Sequence, residues 1–429
     1  MESHSEYTSL FDLAMVLSEV MDMVSPVVTD HQKRTAYVAV RLAEGLGIPA
    51  QGRRELLLAG LIHDLGAFSL RERLDLLDFD FENSGTHTRI GYQLLKEFPP
   101  LAREAAIILH HHAPWDTKGY EEPDALEVPV QSHILHLADR LVILIDNDTD
   151  IQSQIVSIVD VLASRMGTLF MPQLQKPLLE LAKMEEFWLN AVSPFLNARL
   201  REKYELYAAP AMEMSSGQQM QLAKILSRII DFRSHYTATH SCGVAATAEA
   251  LAGLCGFPQA DCRMMRIAGF LHDMGKLAVP TEIIEKPARL SEEEYGIIKN
   301  HPQRTTRIVE RLPELEVAAL WVSQHHERLD GSGYPSHIQE REISLGSRVM
   351  AVADVFTAIT EDRPYRKGME KSHSLRILRA MADRHLLDRE VLKQLESRFG
   401  DLSDLRRDAQ REACGSYEEL IEPFVGGVQ

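Results

Sequence analysis

In Phe270-Leu-His-Asp-Met-Gly-Lys276 a histidine and an aspartate stand side by side at the end of an apolar run, and Ile62-His63-Asp64-Leu-Gly66 repeats the pair. Adjacent side chains on a helix point about 100° apart, so both can serve one metal ion only where a helix end faces a cleft. Gly275 provides such an end. The surrounding histidines keep the same intervals twice. His31 precedes His63 by 32 residues and His240 precedes His272 by 32, while His87 to His111 and His301 to His325 each span 24. His111-His112 matches His325-His326, and Asp139 in His-Leu-Ala-Asp-Arg matches Asp354 in Ala-Val-Ala-Asp-Val. Ten of the 18 histidines fall on these positions, in two copies about 210 residues apart, which scattered histidines would not do.

Five imidazoles and two carboxylates per copy suit a pair of divalent first-row ions, because imidazole prefers such ions and an aspartate can bridge two of them. Asp273 is the candidate bridge. Two metals about 3.5–4 Å apart lower the pKa of a shared water and stabilise the attacking and leaving oxygens of an in-line displacement at phosphorus. Hydrolysis of a phosphodiester is the chemistry such a set predicts.

The elements that must position these residues read as helices. Apolar residues recur at helical spacing from Leu10 to Met23, again from about Thr29 to Leu46, where Gly47 and Pro49 stop the run, and from about Arg53 to Ile62. Strand-like alternation is scarce. The expected fold is all-α, with two tandem helical domains over 1–149 and 220–400. A helical connection covers 150–219, with a hinge around Ala209–Gly217 and the boundary near Ser215. Residues 401–429 form a helical tail whose last residues, from Gly426, fray.

Composition narrows the partners. With 45% hydrophobic and 25% charged residues the chain is ordinarily globular, but a net charge of −17 argues against a polymer nucleic acid. A small phosphodiester remains open if metal ions and a few basic residues reverse the sign locally. No run approaches the roughly 18 apolar residues of a membrane span, and the polar, acidic start is unlike a signal peptide, so no membrane partner and a cytoplasmic location are expected. Cys242, Cys255, Cys262 and Cys414 form no CxxC pair and read as reduced thiols. Apolar stripes on the connecting helices would allow a homodimer.

The set His240, His272-Asp273, His301, His325-His326 and Asp354 comes with Leu271-His-Asp-Met-Gly-Lys276, His326-Glu-Arg-Leu-Asp-Gly-Ser-Gly-Tyr-Pro335 and Asp362-Arg-Pro-Tyr-Arg366. Over roughly residues 220–400 this resembles the HD-GYP family of cyclic-dinucleotide phosphodiesterases. Residues 8–145 resemble only the broader HD metal-dependent phosphohydrolase superfamily. The resemblance implies that His240, His272, Asp273 and Asp354 hold one ion and that Asp273, His301, His325 and His326 hold the other. It favours iron or manganese, with nickel, cobalt and zinc compatible. Some members recruit a third ion through a glutamate four positions before the first histidine; here that position is Tyr236, so two ions are expected.

Lys276 is placed to contact the scissile phosphate and protonate the leaving oxygen. Gly331, Gly333 and Tyr334 form a loop that lets backbone approach the substrate closely and offers a ring for a base. Arg363 and Arg366 resemble the family's substrate grips. Members commonly carry Asp-Ala-Leu where this chain has Thr357-Ala-Ile359, and Thr357 has no expected catalytic role.

In the first copy, His31, His63, Asp64, His87, His111, His112 and Asp139 form a candidate second metal site. Catalysis there is not expected: the lysine position is Ala67, Tyr120 is followed by Glu121 and not proline, and Ile145-Asp-Asn-Asp-Thr-Asp150 brings acids without an arginine. The first copy therefore reads as a regulatory or dimerisation module, with a second active site for another substrate as the alternative. His110, His136, His235, His337, His373 and His385 fall outside the pattern. The resulting expectation is a metal-dependent hydrolase that opens cyclic di-GMP or cyclic GMP-AMP to the linear dinucleotide. The alternatives are a non-catalytic sensor of such a nucleotide and an HD hydrolase of another phosphate ester.

Overall fold

The computed structural model describes residues 8–23, 29–67, 79, 85–116, 127–207, 213–233, 239–284, 286, 288–362 and 367–425, with side chains except at 231–233 and 416–425. Among the described residues every extended element is a helix, and the one strand-like pairing is an isolated bridge between Met166 and Phe170. The chain forms two compact units, one of Ser9–Met212 and the other of Glu213–Gln429 together with Met1–Thr8.

The first unit holds α1 (Leu10–Asp22), α2 (His31–Gly45), α3 (Ala50–Ile62), α4 (Gly85–Leu95), α5 (Ala102–Leu109), α6 (Val130–Ile143), α7 (Ile151–Ser164), α8 (Gln175–Ala182), α9 (Glu185–Ala191) and α10 (Leu196–Leu206). The Ser9 hydroxyl caps α1 by accepting from Asp12 N at 3.0 Å, and Asp150 caps α7 by accepting from Gln152 N at 2.8 Å. Helix α2 is the centre, packed against α3, α6, α8 and α10. Gly60 permits the closest of these contacts, since a Cβ there would lie 2.6 Å from Ala36 Cα. Helices α7–α10 are thus not a bare connection. Phe187 and Trp188 are fully buried, and the Phe187 ring stacks on Tyr37 of α2 at 5.9 Å. Side chains of that size each contribute roughly 1.5–3 kcal/mol on burial, enough to make 150–206 part of the first core.

The second unit holds α11 (Ser216–Arg233), α12 (His240–Leu254), α13 (Gln259–Leu271), α14 (Thr281–Ile284), α15 (Glu292–Ile298), α16 (His301–Val309), α17 (Glu316–Ser323), α18 (Leu345–Thr360), α19 (Lys371–Asp383), α20 (Arg389–Ser397) and α21 (Phe399–Val425). Ser291 and Glu294 form a capping box on α15, Ser344 caps α18, and Asp388 caps α20 through Glu390 N and Val391 N. Helix α12 is central and lies on α13, α18 and α21. The close approach recurs: a Cβ on Gly269 would lie 2.4 Å from Ala245 Cα, as Gly60 does against Ala36. Helix α21 is therefore no free tail, because it packs along the helix that opens with His240. No helix among the described residues is long and apolar enough to cross a membrane.

Candidate metal centres

In the second unit α13 ends at Leu271, His272 forms its C-cap, and Asp273 leads a 3-10 turn over Met274–Ala278. Gly275 does more than end a helix. A Cβ there would sit 2.1 Å from His301 O, and its N–H donates to Thr305 Oγ1 at 2.8 Å, so this turn seats the first residue of α16 beside Asp273. His240 opens α12, His325-His326 follow α17, and Asp354 lies within α18. Four helix ends and the middle of α18 thereby deliver their side chains to one buried point.

Asp273 faces both halves of that point. Its Oδ1 is 3.3 Å from His301 Nε2 and its Oδ2 is 3.3 Å from His272 Nε2. His240, His272 and Asp273 form one group, and Asp273, His301, His325 and His326 a second, with ligand atoms in each within 4.8 Å of one another. Asp354 Oδ1 lies 3.3 Å from His240 Nε2, and Oδ2 lies 3.9 Å from His326 Nδ1.

The ring tautomers fit a cation. His272, His301 and His325 each donate Nδ1–H to the carbonyl three residues earlier, at 2.8, 2.7 and 2.6 Å. Their Nε2 atoms therefore carry inward lone pairs. His301 Nε2 and His325 Nε2 face each other at 3.5 Å, and neither has a proton to give. That spacing matches two nitrogens each about 2.0–2.1 Å from a shared ion. His272 Nε2 and Asp273 Oδ1 are buried without a hydrogen bond. Buried charge left so costs several kcal/mol, which a divalent ion would offset.

Electrostatics lead the same way. Burial lowers the imidazole pKa values, and carboxylates are too few to reverse this everywhere: His301 falls to about 3 and His325 to about 4. At His240 burial is outweighed by Glu361 and Asp354, which drive it up to about 10.

The first unit repeats the arrangement. Asp64, His87, His111 and His112 form one group and His31, His63 and Asp64 the other, again with ligand atoms within 4.8 Å. Asp139 Oδ1 lies 2.9 Å from His31 Nε2 and 3.5 Å from His63 Nε2. His63 and His111 donate Nδ1–H to Gly60 O and Ile108 O. Burial takes His87 down to about 4, whereas Asp64 and Asp139 overcome burial at His63 and raise it to about 9. Both donor sets fit divalent metal ions.

The remaining expected residues divide. Lys276 Nζ contacts Asp273 Oδ2 at 2.6 Å with 26% of its side chain exposed, so one ammonium faces both the cage and solvent. Tyr334 lies over a ligand, its ring 4.7 Å from that of His326. Gly333 is buried, and a Cβ on it would come 2.3 Å from Arg328 N and 2.4 Å from Glu327 Cα. The glycine thus admits the loop onto its own backbone, not onto a substrate. Arg363, Arg366, Tyr236, Tyr120 and Glu121 lie outside the described residues. Thr357 is buried, with its hydroxyl unbonded.

Three residues escaped the sequence reading. Glu327 accepts from Ser336 N at 2.7 Å and so pins the Tyr334 loop. Glu361 contacts His240 Nδ1 at 3.0 Å. Arg140 bonds Asp139 Oδ2 through Nη2 and Nε at 2.8 and 3.1 Å, almost wholly buried, where the second copy has Val355. Its place directly after Asp139 was the available signal.

Comparison with known proteins gives two matches to the HD domain family, at residues 28–144 and 196–391. A 3′3′-cGAMP-specific phosphodiesterase of Vibrio cholerae is 31% identical over 385 residues, covering 87% of this chain and 88% of that protein. A cyclic di-GMP phosphodiesterase of Pseudomonas aeruginosa is 37% identical over 191 residues, covering 43% and 46%. The crystal structure of a cyclic GMP-AMP-specific phosphodiesterase of V. cholerae shares the fold, with a TM-score of 0.62 and 21% identity over 91% of this chain and 97% of that one.

Proposed function

The chain belongs to the HD-GYP family of HD-domain phosphodiesterases, and we propose that its second copy opens a 3′,5′-cyclic dinucleotide, cyclic di-GMP or cyclic GMP-AMP, to the linear dinucleotide. The observation that carries this is Asp273, whose two oxygens face the two halves of the cage while Lys276 sits on one of them. His240, His272, Asp273 and Asp354 would hold one divalent ion and Asp273, His301, His325 and His326 the other. When bound, the pair supplies acidified water and charge neutralisation at phosphorus.

The chain's own residues do the rest. Asp273 fixes the two halves relative to each other. Lys276 holds a proton on Nζ at the cage edge and passes it to the ribose oxygen that leaves as water oxygen bonds to phosphorus. Tyr334, beside His326, presents a ring against a base, and Arg363 and Arg366 grip phosphate. Iron or manganese is our choice for the metal, since imidazole and carboxylate suit both. We place the reaction in the cytoplasm, consistent with cysteines that form no CxxC pair. A homodimer would use the most exposed apolar side chains of the first unit, Phe195 and Leu206. The first copy, which we take as an ion-holding regulatory module, has Ala67 where the second has Lys276.

The test is product analysis after anaerobic reconstitution with Fe(II) or Mn(II), with each dinucleotide supplied separately. Linear product is expected from the wild type and from Asp64→Ala and not from Asp273→Ala. Binding without turnover under every metal would leave a sensor in place of an enzyme.

A further inference from the structure

The ring of His240 is fixed from behind by a chain of contacts that reaches the C-terminal helix. Its Nδ1–H lies 3.1 and 3.0 Å from Oε1 and Oε2 of Glu361, which is buried at the C-cap of α18. Glu361 Oε2 also accepts from Gln410 Nε2 at 3.0 Å, and Gln410 Oε1 accepts from Arg406, one turn earlier on α21 and itself buried. Gly243, one turn into α12 from His240, makes room for this approach. A Cβ on Gly243 would stand 3.0 Å from both Cδ and Nε2 of Gln410.

Among the described residues the first copy shows no such device. Seven residues after Asp139, as Glu361 is seven after Asp354, stands Asp146, an exposed carboxylate that accepts from Asp148 N and Thr149 Oγ1 of its own loop. A buried carboxylate on the outer nitrogen of a ligating imidazole holds its tautomer and raises its basicity. Loss of such a partner typically costs about 10–100-fold in metal affinity.

We infer that Glu361, held by Gln410, is a positioning residue that sets the affinity of the ion bound by His240, His272 and Asp273, which makes α21 a working part of the second centre. This rests on the metal-cage reading above and goes beyond it by joining the C-terminal helix to one ion and not to the other. His301 and His325 give their Nδ1–H to carbonyls three residues earlier and not to Glu361, so the ion they hold does not depend on that carboxylate directly.

The experiment is a Co(II) titration of the full chain stripped of metal, read by visible absorption and by metal content after desalting, with thermal melts alongside. The variants are Glu361→Ala, Glu361→Gln and Gln410→Ala. The expected result is about 10–100-fold weaker uptake of one Co(II) with a shifted absorption band in Glu361→Ala. Glu361→Gln should be partly rescued, Gln410→Ala should lose several-fold, and the other ions should be unchanged. Gln410→Ala leaves the carboxylate in place and carries the test if a Glu361 variant does not fold. Wild-type affinity and spectrum in all folded variants would overturn the inference, as would equal weakening of every ion together with a lowered melting point. If the wild type takes up no Co(II), the cage reading fails first and this inference with it.

Discussion

The two His/Asp clusters match residue for residue and differ in where each keeps its cation. In the second copy Lys276 sits on Asp273, the carboxylate common to both ligand groups, and remains partly open to solvent. In the first copy that position is Ala67, and among the described residues the cation is Arg140, locked on Asp139 with 4% of its side chain exposed. A cation on the shared carboxylate can meet a substrate and give up a proton; one sealed against a terminal carboxylate only neutralises it. If the first copy is the accessory module proposed above, keeping the ligands is not enough to keep a reaction.

The glycines after each His-Asp pair offer the strongest way to break the comparison. A Cβ on Gly66 would lie 2.1 Å from His87 O, and one on Gly275 would lie 2.1 Å from His301 O. A backbone carbonyl cannot rotate away as a side chain can, so alanine at either place is expected to cost about 4 kcal/mol or more and to scatter the ligands of its own copy. Gly275→Ala should abolish turnover and the ions of the second cage. Gly66→Ala should lose the ions of the first and leave turnover within a factor of a few. Metal content and product yield, measured on the same preparations, check this; loss of turnover in both would show that the copies do not act separately.

Lys276→Ala should be smaller but still large. General acid catalysis is typically worth about 10²–10⁴-fold, so kcat/KM for the cyclic dinucleotide should fall by about 10²-fold or more with bound metal unchanged. If the variant kept a tenth of the wild-type rate, the proton would come from elsewhere and the contrast with Ala67 would lose its meaning.

How much of this the sequence carried depended on distance along the chain. The ligands were legible because intervals of 32 and 24 residues are set by short helices and turns, which preserve length when a unit is duplicated. Glu361 was not, because it meets His240 across 121 residues and Gln410 across 49, and no local pattern encodes such a meeting. The helices α7–α10 and α21 were read as connection and tail for a related reason. Amphipathic spacing says that a helix buries one face, not which core receives it. Gly333 was recognised as special but its neighbour was not: the loop closes on Glu327 and Arg328. The site's inner layer was therefore visible in one dimension, whereas the layer that tunes it needed three.

The smallest difference tests whether the two halves also part company in stability. Glu104, at the start of α5, is 4% exposed, and the matching position in α17 is Ala318, equally buried. Burial pushes the Glu104 carboxyl up from 4.5 to about 7, with nearby Glu55 adding to the rise and Arg54 and Arg103 opposing it. Between those values the folded first half keeps a proton that the unfolded chain has lost. Its stability should then be full below pH 4.5, fall as pH rises towards 7, and level off above. A tenfold difference in proton affinity between the folded and unfolded chain is worth about 1.4 kcal/mol, so Glu104→Gln should be near neutral at about pH 4.5 and stabilising by on the order of 3 kcal/mol at about pH 8. For a domain of this size that is about 6–12 °C in one calorimetric transition, with the transition of the second half unmoved. The same change in melting temperature at both pH values would mean that Glu104 acts through packing and that its charge has no part.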